Sequence, residues 1–173
     1  MKKTHAGLVF SACSALLLGA CATPATGPMA SADLQARSGS AVSGKVTLSE
    51  MNGHLRVEAQ VTGLTPGEHG FHIHEVGDCS APDASSAKGH FNPAGKAHGH
   101  HASAEHHGGD MPNLVANANG EARFSGEIDG LSLSGMNSVQ GRSVVIHADP
   151  DDYKSQPAGN SGKRIACGVI VAR

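Results

Sequence analysis

The sequence predicts an all-β fold: an eight-stranded antiparallel β-sandwich or flattened barrel with Greek-key connections and long loops. Three observations carry this prediction. Apolar residues recur at a spacing of two in short runs, strong turn signals separate the runs, and no segment keeps a helical period for three turns. About eight short strands punctuated in this way fit a layered or closed antiparallel sheet.

Val46 and Leu48 pair at a spacing of two, as do Leu55, Val57, Ala59 and Val61, with the hairpin dipeptide Asn52-Gly53 between the two runs. Gly63-Leu64-Thr65-Pro66-Gly67 breaks the alternation, and Gly70 to Val76 resumes it. Residues 77–112 lack apolar period and are rich in Gly, Ala, Ser and His. A loop this long inside a compact domain points to function, because ordinary connections are far shorter. Strands return around Leu114–Asn117, Ala122–Ile128, Arg142–His147 and Ala166–Val171, with Asn119-Gly120 as another hairpin turn.

Residues 1–20 read as a signal peptide: a basic start, Met1-Lys2-Lys3, then an apolar run without acids that is short for a membrane span. Leu18-Gly19-Ala20-Cys21 resembles the lipobox of bacterial lipoproteins, which makes Cys21 the expected lipidated N-terminus. Cleavage at Ala20-Cys21-Ala22, an A-x-A site, is the competing reading and would release a soluble protein. Residues 21–39, rich in Ala, Thr, Pro, Ser and Gly, are expected to be a flexible tether, and 40–173 the folded domain. The expected address is the periplasm or cell envelope, with membrane contact only through the lipid.

Removing residues 1–20 leaves 153 residues, enough for one domain with a core, and shifts the net charge from −2 to −4 because Lys2 and Lys3 leave. A mildly acidic chain without a basic stripe and with few aromatics is a poor nucleic-acid binder, so that class is excluded. Cys13 leaves with the signal and Cys21 is taken by lipid, so Cys79 and Cys167 remain as a pair. Export makes a disulfide the natural reading, two buried thiols being the alternative.

Six histidines and one aspartate concentrate the chemistry: His72, His74, His90, His98, His107, Asp110 and His147. His72 and His74 stand two apart on an expected strand, so both project from one face and can reach one ion. The stretch from His90 to Asp110 offers further ligands from the loop, and His147 ends another apolar strand. Imidazole suits copper and zinc alike, and zinc also accepts a carboxylate. Seven ligands exceed what one transition metal takes and suit two.

Several segments resemble the copper/zinc superoxide dismutase family. Gly70-Phe71-His72-Ile73-His74-Glu75-Val76-Gly77-Asp78-Cys79 is similar to its first copper motif and Gly89-His90-Phe91-Asn92-Pro93 to its bridging-histidine motif. The spacings His90 to His98 to His107 to Asp110, eight, nine and three, are similar to its zinc loop. Leu131 to Gly135 followed by Gly141 to His147 resembles the stretch leading to its last copper ligand, and Gly159 to Ile170 its C-terminal signature. The resemblance runs in order from about Ala41 to the end.

It implies one copper ion held by His72, His74, His90 and His147, and one zinc ion held by His90, His98, His107 and Asp110. His90 would be shared, which needs an imidazole deprotonated at both nitrogens. Asp151 would tie a copper-binding histidine to a zinc-binding one, Cys79 and Cys167 would form the family disulfide, and Arg164 would dock an anionic substrate beside copper. The implied reaction converts two superoxide anions and two protons to O2 and H2O2 by alternate reduction and reoxidation of the copper, with His90 passing a proton. Lys154 and Lys163 are weaker candidates for steering charge.

Other histidines read differently. His5 and His54 are ordinary polar residues, and His69 alternates off the ligand face. His106 competes with His107 for one loop position, the register to Asp110 favouring His107. His100 and His101 are open between stray ligands and solvated residues. The segment between Asp151 and Asn160 is shorter than the electrostatic loop of the animal enzymes, so steering charges do not carry over there. Monomer and homodimer both stay open. The rival function is a non-catalytic copper or zinc binding module on the same fold.

Overall fold

The computed structural model describes Met1, Gly27 and residues 29–51 and 53–173. The expected signal beyond Met1, together with Cys21, lies outside the described residues.

Among the described residues ten strands form one sheet: β1 (Met29–Ala36), β2 (Ser43–Met51), β3 (His54–Thr62), β4 (Gly67–His69), β5 (Phe71–His74), β6 (Leu114–Ala116), β7 (Ala122–Ile128), β8 (Ser143–His147), β9 (Arg164–Val169) and β10 (Val171–Ala172). All pairings are antiparallel, in the order β4-β6-β7-β3-β2-β1-β9-β8-β5, with β10 also on β1. The first and last strands of this order, β4 and β5, are joined in the chain by Gly70 alone, so covalent continuity nearly closes the barrel. The all-β expectation holds, with two more strands than expected.

The alternation places Leu55, Val57, Ala59 and Val61 of β3 and Val46 and Leu48 of β2 inside, facing Phe71, Ile73, Val144 and Ile146. Phe71 meets Phe124 edge to face at 5.7 Å between ring centroids, a favoured aromatic geometry. Every residue of β5 and β8 is buried. Their outer faces are covered by the long loop: Val145 of β8 packs with Ala84, Ala87 and Cys167 in a second cluster.

One expectation is corrected. Residues 29–36, assigned by composition to the tether, form β1, paired to β2 over Met29–Leu34 and to β9 at Gln35 and Ala36. Ala30, Ala32 and Leu34 point inward. The period of two was present but carried by alanines, whose small apolar surface gives little signal. The folded domain begins near Met29 and not at residue 40.

Candidate two-metal centre

β5 is the last strand of the sheet, and the long loop takes its free edge. Ile73 N donates to the Gly109 carbonyl at 2.9 Å, Phe91 N to Ile73 O at 2.8 Å, and Gly109 N to Phe91 O at 2.8 Å. This backbone lacing sets His90 opposite His74 and Asp110 opposite His72. Gly109 is required there, since a Cβ would collide with the Ile73 carbonyl. His147 arrives from β8, next to β5 in the ladder.

Two groups of side chains result, each with its ligand atoms within 4.8 Å of one another: His72, His74, His90 and His147, and His90, His98, His107 and Asp110. All seven residues are buried. The structure brings together the same two sets of residues that the family resemblance implied. His107 is in and His106 is out, while His100 and His101 belong to neither.

Each imidazole of the first group has one nitrogen engaged and the other aimed inward. His72 Nε2 donates to Asp151 Oδ2 at 2.8 Å, His74 Nδ1 to the Lys88 carbonyl at 2.9 Å, and His147 Nδ1 to the Gly162 carbonyl at 3.3 Å. The inward His74 and His147 Nε2 atoms face each other at 3.5 Å. His90 Nδ1 contacts Asp110 Oδ1 at 2.7 Å, and its Nε2 turns to the first group without a partner. In the second group Asp110 Oδ1 also lies 3.0 Å from His98 Nδ1 and 3.5 Å from His107 Nδ1. Asp110 Oδ2 accepts the backbone N–H of Gly99 at 3.1 Å and of His107 at 2.8 Å.

Asp151 joins the halves. Its Oδ2 accepts from His72 and its Oδ1 from His98 Nε2 at 2.9 Å. The Asn113 side chain holds the Asp151 backbone, donating to its carbonyl at 3.0 Å and accepting its N–H at 3.0 Å. Gly159, at φ +63°, leaves the room this needs, because a Cβ would fall on the Asp151 carboxylate. The sequence did not single out Gln156, which grips His98 twice: its Oε1 accepts the His98 N–H and its Nε2 donates to the His98 carbonyl, both at 2.9 Å.

His72 Nδ1, His90 Nε2, His98 Nδ1 and His107 Nδ1 are buried and make no hydrogen bond. Buried polar atoms rarely lack a partner, and each of these is a ring nitrogen turned toward a group of ligands. Burial first, then neighbouring His90, brings the His72 pKa down to about 4. Burial also holds His74 and His147 well below the usual histidine value. These rings are therefore neutral near pH 7, with lone pairs to donate. Asp110 and Asp151 stay ionised despite burial, because the His90 and His98 rings against Asp110, and hydrogen bonds from His72 and His98 to Asp151, hold them below the carboxylate range. A neutral imidazole set beside an anionic mixed set fits copper on the first side and zinc on the second.

Arg164 opens β9 directly opposite His147 in the ladder. It donates to the Ala84 carbonyl at 2.7 Å and the Lys88 carbonyl at 2.6 Å, the latter also the acceptor for His74. Cys79 and Cys167 are disulfide-bonded, with Cα atoms 5.7 Å apart, which pins the loop beneath Arg164 to β9. Lys154 and Lys163 are exposed. His69 is buried with both nitrogens occupied, Nδ1 at the His147 carbonyl and Nε2 at the Thr65 carbonyl. Exposed His54 pairs with Asp129. His5 lies outside the described residues.

Residues 42–170 match the family model for copper/zinc superoxide dismutase. The chain is 46% identical over 140 residues to Superoxide dismutase [Cu-Zn] 2 of Aquifex aeolicus, covering 75% of this chain and 79% of that one. It is 43% identical over 169 residues to the Superoxide dismutase [Cu-Zn] of Deinococcus radiodurans, covering 91% of each. The crystal structure of the clock protein EA4 superposes with a TM-score of 0.78 at 39% identity, over 87% of this chain and 98% of that one. The chain belongs to the copper/zinc superoxide dismutase family.

Proposed function

We infer that this chain is a superoxide dismutase, converting two superoxide anions and two protons to O2 and H2O2. The observation that carries the reading is His90, shared by two buried ligand groups, with Nδ1 at Asp110 and a partnerless Nε2 toward His72, His74 and His147. Copper would be held by His72, His74, His90 and His147, and zinc by His90, His98, His107 and Asp110. Bound copper supplies a one-electron couple and bound zinc, which has no redox chemistry, a fixed charge and shape.

The chain's own residues supply the rest. Arg164 presents a permanent cation beside His74 and His147, where it attracts and orients a small anion. His90 Nε2 is the atom at which a proton can be held and passed on, and Asp110 keeps the ring in place from the other side. Asp151 fixes the orientation of His72 and His98 together. The decisive test is catalysed superoxide decay by the chain loaded with both metals. Full metal content with decay at the uncatalysed rate would make it the binding module instead.

The chain is also proposed to be exported to the cell envelope and anchored through Cys21. Support comes from the basic start, the apolar run and Leu18-Gly19-Ala20-Cys21, and from the disulfide, which persists in oxidising compartments. With β1 starting at Met29, seven residues separate Cys21 from the domain, a reach of at most about 25 Å. Mass spectrometry of membrane-extracted protein is expected to find acylated Cys21 as the first residue. A soluble chain starting at Thr23 would contradict the anchor.

A further inference from the structure

A buried ring nitrogen without a partner marks both ligand groups, and among the described residues it occurs at one other place, His101 Nδ1. His101 and His106 line a small cavity of about 110 Å³, together with Glu127 of β7, Asp129 just past its end, and Asp110. His106 Nδ1 donates to the Ser103 carbonyl at 2.7 Å, which fixes the tautomer and leaves a lone pair on Nε2. His100 is different. Its Nδ1 accepts the Ala102 N–H at 3.2 Å and its ring meets Tyr153 edge-on at 4.7 Å, so its job is to shape the loop.

We propose that His101 and His106, with a carboxylate from Glu127 or Asp129, form a third, weaker and exchangeable site for a divalent transition-metal cation of the zinc type. Two imidazoles and a carboxylate are a donor set that zinc accepts, with a coordination position left for water. The weakness follows from the geometry. Among the described residues only the two buried groups bring their ligand atoms within 4.8 Å of one another, so this third set must rotate side chains to close on an ion. Asp110 is common to the cavity wall and the second buried group. A cation captured here therefore stands one carboxylate away from the zinc position, on an open side of the loop.

The proposal does not depend on superoxide turnover. Protein already carrying one copper and one zinc per chain, equilibrated with Zn2+, is expected to take up one further zinc, removable by a mild chelator that leaves the first two metals in place. The double variant H101Q/H106Q should lose this third zinc, while H100Q should keep it. In the wild-type protein, Zn2+ should shift the imidazole NMR signals of His101 and His106 and leave that of His69, whose two nitrogens are held by the His147 and Thr65 carbonyls, unmoved, a readout that needs no variant to fold. No third equivalent, a third zinc that survives H101Q/H106Q, or shifts at His54 or His100 in place of His101 and His106 would each overturn the site.

Discussion

His72, His74 and His147 hang from two neighbouring strands of the sheet, whereas His98, His107 and Asp110 hang from a loop. The strand-held rings are placed by ladder bonds that exist whatever the side chains do: β5 and β8 pair from Phe71↔Ile146 to His74↔Ser143. The loop-held ligands are placed by their own polar contacts, with Asp110 gathering the Gly99 and His107 N–H groups and Gln156 gripping His98. The first half is a prebuilt cradle for a reactive ion. In the second, a bound ion would add to the contacts that order the chain, and its binding energy would then be folding energy.

Substitutions should separate the halves. His147→Ala in metal-loaded protein is expected to reduce superoxide turnover by more than about 100-fold, beyond the ~10–100-fold typical of an outer partner, with the melting temperature little changed. Asp110→Ala should do the reverse, lowering zinc affinity and melting temperature more than activity. If zinc content and melting temperature stay put while activity collapses in Asp110→Ala, the division between cradle and loop is wrong.

Breaking the disulfide attacks the loop from another side. Cys79 and Cys167 are 88 residues apart in the chain, and losing such a bridge typically costs about 2–5 kcal/mol, or a melting temperature lower by roughly 10 °C. The loss should fall on Arg164 and the loop before it reaches the β2–β3 ladder, which hydrogen exchange would resolve. Uniform loss of protection would argue against a separately stabilised loop.

Arg164→Glu should slow the bimolecular rate more than Arg164→Ala, by about 10-fold or more, at unchanged copper content. Wild type should slow with added salt, while the Glu variant loses less or gains, because salt screens attraction and repulsion alike. Equal rates for Ala and Glu, with no salt dependence in wild type, would remove Arg164 from substrate capture.

The smallest effect is one of pH on the metal-free protein. Burial works against the charge on His98, but Asp110 and Asp151 overcome it and raise its pKa to about 9 from 6.5. A raised pKa stabilises fully below the unfolded value and is lost as pH climbs through the folded one. The melting temperature of metal-free protein should therefore fall between about pH 6.5 and 9, and added zinc should cancel the fall because it needs the neutral ring. A flat profile in that window would show that the two carboxylates do not hold His98 in this way.

The halves also differed in how far the sequence revealed them. His72 and His74 were legible because a period of two on a strand fixes a shared face. The loop ligands were legible through the resemblance of their spacing to the family's zinc loop, and choosing His107 over His106 needed the three-residue step to Asp110, whose Oδ2 accepts the His107 N–H. Asp151 came only through resemblance, since a carboxylate 79 residues from His72 and 53 from His98 leaves no local trace. Gln156 was not found for the same reason: its amide meets a backbone 58 residues away. β1 was lost to composition, because Ala30 and Ala32 carry its inner face.

Selective loading of metal-free protein tests the central claim most directly, with catalysed superoxide decay and melting temperature read on the same samples. The account predicts that zinc alone restores most of the melting temperature and no turnover, and that copper together with zinc gives full turnover. Turnover with zinc alone, or no catalysed decay with both metals bound, would contradict it.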